Sequence, residues 1–305
     1  MKDFDGKIAF ITGGASGAGL GQARVFAEAG CKIVLADLRR EALDAAASSL
    51  RSSNAEVHPL QLDVTDRAAF ARAADEVERV LGRAPDLLFN TAGVNTFGPL
   101  EKSTYEDFDW LMGVNLGGVV NGMQTFVPRM IKAGRGGHIV TTASVGGFEG
   151  SALAGIYSAA KAAVINLMEG YRMSLEKYGI GVSVLCPANI KSNIAEATKT
   201  RPAHLASSGY VVNDATIKSL HGIYSHGMEP TELARHVKRG IEANQLYIIP
   251  YPEVREGLET HFAAIVASVL PLDQDPVGAK KRTEALRAWQ REFALVARSS
   301  GEDAG

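Results

Sequence analysis

A short apolar run, Lys7 to Ile11 (KIAFI), passes straight into Thr12–Gly19 (TGGASGAG) and then into a helix-forming stretch from Leu20 to Ala29. A strand, a glycine turn and a helix in immediate succession restrict the possible folds severely. Glycines at 13, 17 and 19 let the backbone approach a bulky anion, and the amides and dipole of the following helix face its negative charge. A pyrophosphate suits that turn. The nucleotide-triphosphate loop is excluded, because no Gly-Lys-Ser/Thr follows.

The same alternation continues along the chain. Lys32 to Ala36, Glu56 to Leu62, Asp86 to Phe89, His138 to Thr142, Gly181 to Leu185 and Leu246 to Ile249 read as strands. Between them, Glu41 to Arg51, Arg67 to Leu81, Tyr105 to Lys132, Ile156 to Tyr178 and Pro230 to Ala243 read as helices, and Asp66 is placed to cap the second of these. Short joins between alternating strands and helices predict a parallel sheet covered on both faces. The expected architecture is α/β, a doubly wound Rossmann-type sheet of seven strands with a helical C-terminal extension. No linker or repeat interrupts it, so residues 1–305 read as a single domain with its core at about 5–250 and its tail at about 251–297. The tail helices, Pro252 to Val269 and Pro276 to Ala297, carry apolar stripes (Leu258, Phe262, Ile265, Val269; Leu286, Trp289, Phe293, Val296) suited to core packing, to covering a cleft or to a second subunit.

Charge and composition remove several function classes. A net charge of −2 gives no footprint for nucleic acid or an anionic membrane, and the runs Arg39–Arg40 and Lys280–Arg282 read as solvated helix surface. Apolar runs are too short for a membrane span. The seven histidines show no HExxH pattern, so no metal is expected. Cys31 and Cys186 sit beside apolar strand-like segments, and no apolar leader precedes the first strand, which predicts a cytoplasmic location.

Asp37 ends the second strand about twenty residues past the glycine turn. A carboxylate there accepts hydrogen bonds from both ribose hydroxyls of NAD and repels the extra 2′-phosphate of NADP. Arg39 argues the other way, since a nearby arginine can serve that phosphate, whereas the neutral Ser16 argues for NAD. Further along, Ser144 leaves the fifth strand, Tyr157 follows thirteen positions later, and Lys161 lies one helical turn beyond. Tyr157 and Lys161 therefore share a helix face. A phenol is a poor base at neutral pH, and an adjacent ammonium favours its phenolate. With Ser144 on the same substrate oxygen, the trio is suited to moving a proton on or off an alcohol. Asn115 stands in the middle of a long helical stretch, where a mediocre helix former asks for a reason.

Taken in order, TGGASGAG, Asp63-Val64, NTAG at 90–93, Asn115, Ser144, YSAAK at 157–161 and Pro187 resemble the short-chain dehydrogenase/reductase family, in its compact single-domain branch. The resemblance implies that Tyr157 is the general base, that Ser144 orients and polarises the reacting oxygen, and that Lys161 lowers the Tyr157 pKa and binds the nicotinamide ribose. It implies that Asn115 positions a water joining Lys161 to solvent. The cofactor set it implies is Gly13, Ser16, Gly17, Gly19, Asp37, Asp63, Val64, Asn90, Tyr157, Lys161, Pro187, Ile190 and Ser192, with Asp63 and Asn90 toward the adenine. Two positions depart from the family pattern: Thr91 replaces an asparagine, and Pro187-Ala188 replaces Pro-Gly, with Ser192 where a threonine is common.

A narrower resemblance, carried by NTAGVN, YSAAKAA, NLMEGYR, PANIKSNI and LYIIPYPEVREGLE, is to the bacterial Cα-dehydrogenases of lignin β-aryl ether breakdown. It implies NAD-dependent oxidation of the benzylic alcohol of guaiacylglycerol-β-guaiacyl ether to a ketone. Phe97, Phe148, Asn189, Tyr210 and Tyr251 are the candidate substrate contacts. Residues 193–226 read as an irregular substrate-covering lid, with a hinge at Ser207–Gly209. The resemblance further implies a homodimer, or a tetramer, assembled through the long helices, where Gly117 and Gly118 permit close approach. The alternatives are the same chemistry on another bulky secondary alcohol or ketone, steroid-like or acyl, and a non-enzymatic NAD-binding sensor.

Overall fold

Seven strands form one parallel sheet: β1 (Ile8–Thr12), β2 (Lys32–Asp37), β3 (Val57–Gln61), β4 (Leu87–Asn90), β5 (Gly137–Thr142), β6 (Ile180–Leu185) and β7 (Tyr247–Ile248). Their spatial order is β3-β2-β1-β4-β5-β6-β7. The coordinates are a computed structural model that describes residues 1–211, 217, 218, 222 and 224–302, with side chains of the final helix described as far as 292. The described residues divide into two units, Met1–Val254 and Arg255–Gly305.

Strand alternation builds two cores in the first unit. Ile8, Phe10, Val34 and Leu88 point to one face, where α3 (Arg67–Leu81), α5 (Gly118–Ala133) and α6 (Gly155–Leu175) cover them through Phe70, Phe126 and Met168. Ala9, Ile11, Ile33, Leu35 and Phe89 point to the other, covered by α1 (Gly17–Glu28), α2 (Arg40–Arg51) and the helix Pro230–Glu242 through Phe26, Leu43 and Val237. Near-continuous apolar strands are what a parallel sheet buried on both faces requires. At the β1/β4 boundary the strand order changes direction, which opens a crevice at the carboxyl ends of the strands.

The predicted long helix from Tyr105 to Lys132 is interrupted. Helix α4 (Tyr105–Met112) passes through one π turn, Gly113–Gly117, before α5 begins. Three glycines in six residues weaken the helical ladder there, and the Asn115 side chain donates to the Leu111 carbonyl at 2.9 Å. Gly118 packs within the chain, where a Cβ on it would stand 2.7 Å from a Val64 methyl. Asp66 caps α3 as its sequence position suggested, accepting from the Ala69 amide at 2.9 Å.

With the helix Pro230–Glu242 numbered α7, the second unit contains α8 (Arg255–Ala267) and α9 (Pro276–Glu302). Its stripe is exposed at Phe262, Ile265, Val269, Leu286 and Trp289, so core packing does not describe these positions; Phe293 and Val296 lie outside the described side chains. Among the described residues no helix is long and apolar enough to cross a membrane, and no cluster of three or more His, Cys, Asp or Glu is arranged to hold a metal.

Candidate active site

The crevice at the carboxyl ends of β1, β2, β4 and β5 is a cleft of about 890 Å³. Its floor is two turns locked together. Thr12 Oγ1 accepts the Thr91 and Ala92 amides at 2.9 and 3.1 Å, and Gly13, at φ +67°, lies so close that a Cβ would meet the Ala92 backbone at 2.9 Å. Thr91, the departure from the family pattern, donates to Gln22 Oε1 at 2.7 Å and so ties the NTAG turn to α1. Gly19 is equally constrained, since its Cβ would sit 2.2 Å from the Gly13 carbonyl oxygen. The glycine turn therefore presents bare backbone and a helix start to the cleft, as a pyrophosphate requires.

At the β2 end Asp37 is buried, and its carboxylate is organised by protein donors. Oδ2 accepts from the Ala15 amide at 3.2 Å, while Oδ1 accepts from the Arg39 amide at 3.0 Å and pairs with Arg39 Nε at 3.2 Å. Arg39 Nη2 donates to Ser16 Oγ at 2.8 Å. The arginine that argued for a 2′-phosphate is thus engaged by Asp37 and Ser16. Gly17, Asp63, Val64, Pro187, Ile190 and Ser192 line the same cleft. Asn90 does not. Its side chain is buried, with Nδ2 turned to Thr141 Oγ1 at 3.3 Å and to the Met123 sulfur, because it ends a central strand on the side facing α5.

Ser144, Tyr157 and Lys161 converge in the cleft. Ser144 accepts the Gly146 amide at 3.1 Å, and a hydrogen bond between its hydroxyl and the Tyr157 phenol favours the phenolate. Burial opposes it more strongly and pushes the Tyr157 pKa up to about 12, with Tyr224 adding to the rise. Lys161 is 2% exposed and donates to the Thr142 carbonyl at 2.8 Å, with its nitrogen 5.4 Å from the Tyr157 ring centroid. Desolvation brings its pKa down to about 8. Burial thus disfavours the charged forms of both groups, the phenolate and the ammonium.

Asn115 is fully buried beneath this group. Its carboxamide grips the Val94 backbone from both sides, accepting from the amide at 3.2 Å and donating to the carbonyl at 2.9 Å. Gly93 separates it from the lysine: a Cβ there would stand 2.9 Å from Asn115 Oδ1 and 3.5 Å from Lys161 Nζ. The side chain thus fixes the chain that passes Lys161, a role its sequence position did not reveal.

The substrate contacts divide. Phe97 and Asn189 line the cleft, whereas Phe148, Tyr210 and Tyr251 do not. Phe148 packs beside Tyr247 with centroids 6.3 Å apart, Tyr210 fills the space above Gly98, and Tyr251 donates to the Asn189 carbonyl at 3.1 Å. Each is an aromatic used for local packing. Sequence reading missed Val94, Asn95, Trp110 and Tyr224, all on the cleft wall: the first two stand in NTAGVN, which marked a resemblance without marking a contact, and the other two belong to no motif.

Residues 194–200 and 203–205 form 3₁₀ turns, and Asn193, Ile194, Ala197, Thr200 and Leu205 line the cleft. Ser207–Gly209, the expected hinge, is held by hydrogen bonds. Asp107 accepts from Ser208 Oγ at 2.7 Å and from the Gly209 amide at 3.0 Å, and it pairs with Arg201 at 2.6 Å. The remainder of the predicted lid at 212–216, 219–221 and 223 lies outside the described residues.

A doubly wound parallel sheet, a glycine turn at its switch point and a serine, tyrosine and lysine together in that crevice define a dinucleotide-dependent oxidoreductase. The chain belongs to the short chain dehydrogenase family, whose pattern matches residues 7–203. It is 66% identical over 296 residues, 97% of each chain, to a C alpha-dehydrogenase of Sphingobium sp. (strain NBRC 103272 / SYK-6). Among solved structures, the LigD apo form from Sphingobium sp. strain SYK-6 is similar at a TM-score of 0.76 and 59% identity, covering 88% of this chain and 100% of the other. A short chain dehydrogenase/reductase from Burkholderia phymatum in complex with NAD is similar at a TM-score of 0.84 and 35% identity, covering 89% and 98%. The cofactor class is accordingly a nicotinamide dinucleotide.

Proposed function

We propose that the protein oxidises the benzylic Cα alcohol of a lignin-derived β-aryl ether dimer, of the guaiacylglycerol-β-guaiacyl ether type, to the ketone. The observation that carries this reading is the 66% identity, over 97% of both chains, to a protein named C alpha-dehydrogenase. The cleft supports it with a tyrosine, serine and lysine suited to an alcohol and with space in the range of a medium-sized ligand.

Bound oxidised NAD supplies the acceptor for the carbinol hydride. The chain's own residues position the alcohol and handle its proton. Ser144 and Tyr157 hold the alcohol oxygen, and Tyr157 takes the hydroxyl proton as it passes its own to Lys161, which exchanges it onward past Gly93. Asn115 holds that route in place through Val94. Because these groups are buried, their positions are set by packing and do not have to be reorganised during reaction. The binding partner is a small aromatic alcohol, the assembly a homodimer and the location the cytoplasm.

Asp37 directs the choice of NAD. Asp37→Ala removes the carboxylate and releases Arg39 from its ion pair, so the preference for NAD over NADP is expected to fall by about tenfold or more, the equivalent of one charge-assisted contact. Steady-state kcat/KM with each cofactor measures it; an unchanged ratio would remove Asp37 from the ribose site. The substrate is tested by following NADH formation with racemic guaiacylglycerol-β-guaiacyl ether and analysing the remaining substrate on a chiral column. Ketone formation with stereoselective depletion is expected. No turnover by a protein that still binds NADH would transfer the same machinery to another bulky secondary alcohol.

A further inference from the structure

The segment that leaves β6, residues 187–192, crosses the cleft from the reacting centre to the glycine turn. At its start the Pro187 carbonyl accepts the Val145 amide at 3.0 Å and the Ser144 hydroxyl at 3.4 Å. At its end Ser192 packs on Gly17, where an added Cβ would come within 3.1 Å of the serine Cβ. Pro187, Ala188, Asn189, Ile190 and Ser192 all line the cleft between these two points. A wall so placed faces the part of a dinucleotide between its reacting ring and its pyrophosphate.

The middle of this wall is held from behind. The Asn189 carbonyl accepts the Met228 amide at 2.9 Å and the Tyr251 hydroxyl at 3.1 Å, which uses both of its lone pairs. The Lys191 amide donates to the Met228 carbonyl at 3.1 Å, and Gly227 lies so close that a Cβ on it would meet the Ile190 carbonyl carbon at 2.6 Å. In a trans peptide the C=O and N–H point in opposite directions. With the Asn189 carbonyl turned to Tyr251 and Met228, the Ile190 amide is turned away from them, and among the described residues it has no hydrogen-bond partner.

Tyr251 is 5% exposed, and its ring belongs to the core against which Ala188, Ile190 and Met228 pack. A phenylalanine would fill that space with no polar atom to satisfy. The Met228 amide already satisfies the Asn189 carbonyl, so the second bond adds direction to the peptide. We infer that Tyr251 is a positioning residue for the cofactor: its hydroxyl fixes the Asn189–Ile190 peptide so that the Ile190 amide is presented to the nicotinamide half of the dinucleotide. The inference rests on the cofactor class and not on the identity of the alcohol, so its test contains no substrate.

Calorimetry with NADH and with AMP separates the two halves of the ligand. AMP carries the adenosine half, which belongs at the Asp37 end of the cleft, and lacks the half that reaches residues 187–190. Tyr251→Phe keeps the ring and removes the donor. It is expected to raise the NADH Kd by about 3- to 10-fold, the equivalent of one hydrogen bond, and to leave the AMP Kd within about twofold. Gly227→Ala presses on the same peptide by contact and should give the same split. Equal weakening of both ligands by Tyr251→Phe would be a general loosening of the fold and overturns the assignment. Unchanged NADH affinity in either variant overturns it as well. If wild type binds NADH no more tightly than AMP, the nicotinamide half makes no use of this wall and the inference fails, whichever alcohol the protein oxidises.

Discussion

Tyr157→Phe is expected to lower alcohol oxidation by about 10²–10⁴-fold, the usual contribution of one general base, with NADH binding retained. The ring still fills its place on α6, so the change removes the proton acceptor and little of the packing. The pH dependence of the unmutated protein should carry the same signature. Burial pushes the phenol up to about 12 and brings Lys161 down to about 8, so above about pH 8 a neutral Lys161 is available to take the Tyr157 proton as Tyr157 takes that of the alcohol. The rate of oxidation should accordingly rise with pH through about 8, and the reverse reduction should have the opposite slope. Substantial activity in Tyr157→Phe would remove Tyr157 from the base position, and an oxidation rate that falls as pH rises through this range would remove Lys161 from the proton relay.

Arg201→Ala is expected to release the segment that lines one side of the cleft. Asp107 is fully buried and the Arg201 side chain is 9% exposed, so removing the arginine leaves a carboxylate in the interior without its counter-charge. Breaking a buried pair on one side costs about 3–5 kcal/mol. The arginine contributes more than charge: it donates to the Ser207 carbonyl at 2.6 Å and stacks on Trp110 at 5.1 Å. Trp110 also lines the cleft, so substrate KM should rise as the segment loosens. Hydrogen exchange supplies the direct readout, since a loss of this size should speed exchange at 194–210 by about 10²–10³-fold. Protection equal to the wild type would show that the latch does not hold the segment.

Local pattern made most of the sheet legible. KIAFI followed by TGGASGAG, and KIVLA ending in Asp37, fall where β1, α1 and β2 are found, because buried parallel strands must be continuously apolar and glycine turns leave a plain signal. The break in the Tyr105–Lys132 helix was present in the sequence as Gly113, Gly117 and Gly118. The aromatics were harder. Phe97 and Phe148 look alike in sequence, yet the first faces the cleft while the second packs beside Tyr247.

What the sequence by itself determined is the order of strands and helices, the anion-binding turn and the spacing that brings Tyr157 and Lys161 onto one helix face. Each depends on residues within a turn or two of one another, where geometry is set by periods of two and 3.6. What only the tertiary structure decided are the Asp107–Arg201 latch, the neutral bias of the Tyr157–Lys161 pair, the clamp of Asn115 on Val94 and the hold of Tyr251 on the Asn189 carbonyl. These depend on which distant residues share a low-dielectric interior; Arg201 and Asp107 are 94 positions apart. Burial and partner identity are properties of the packed chain, and no local spacing encodes them.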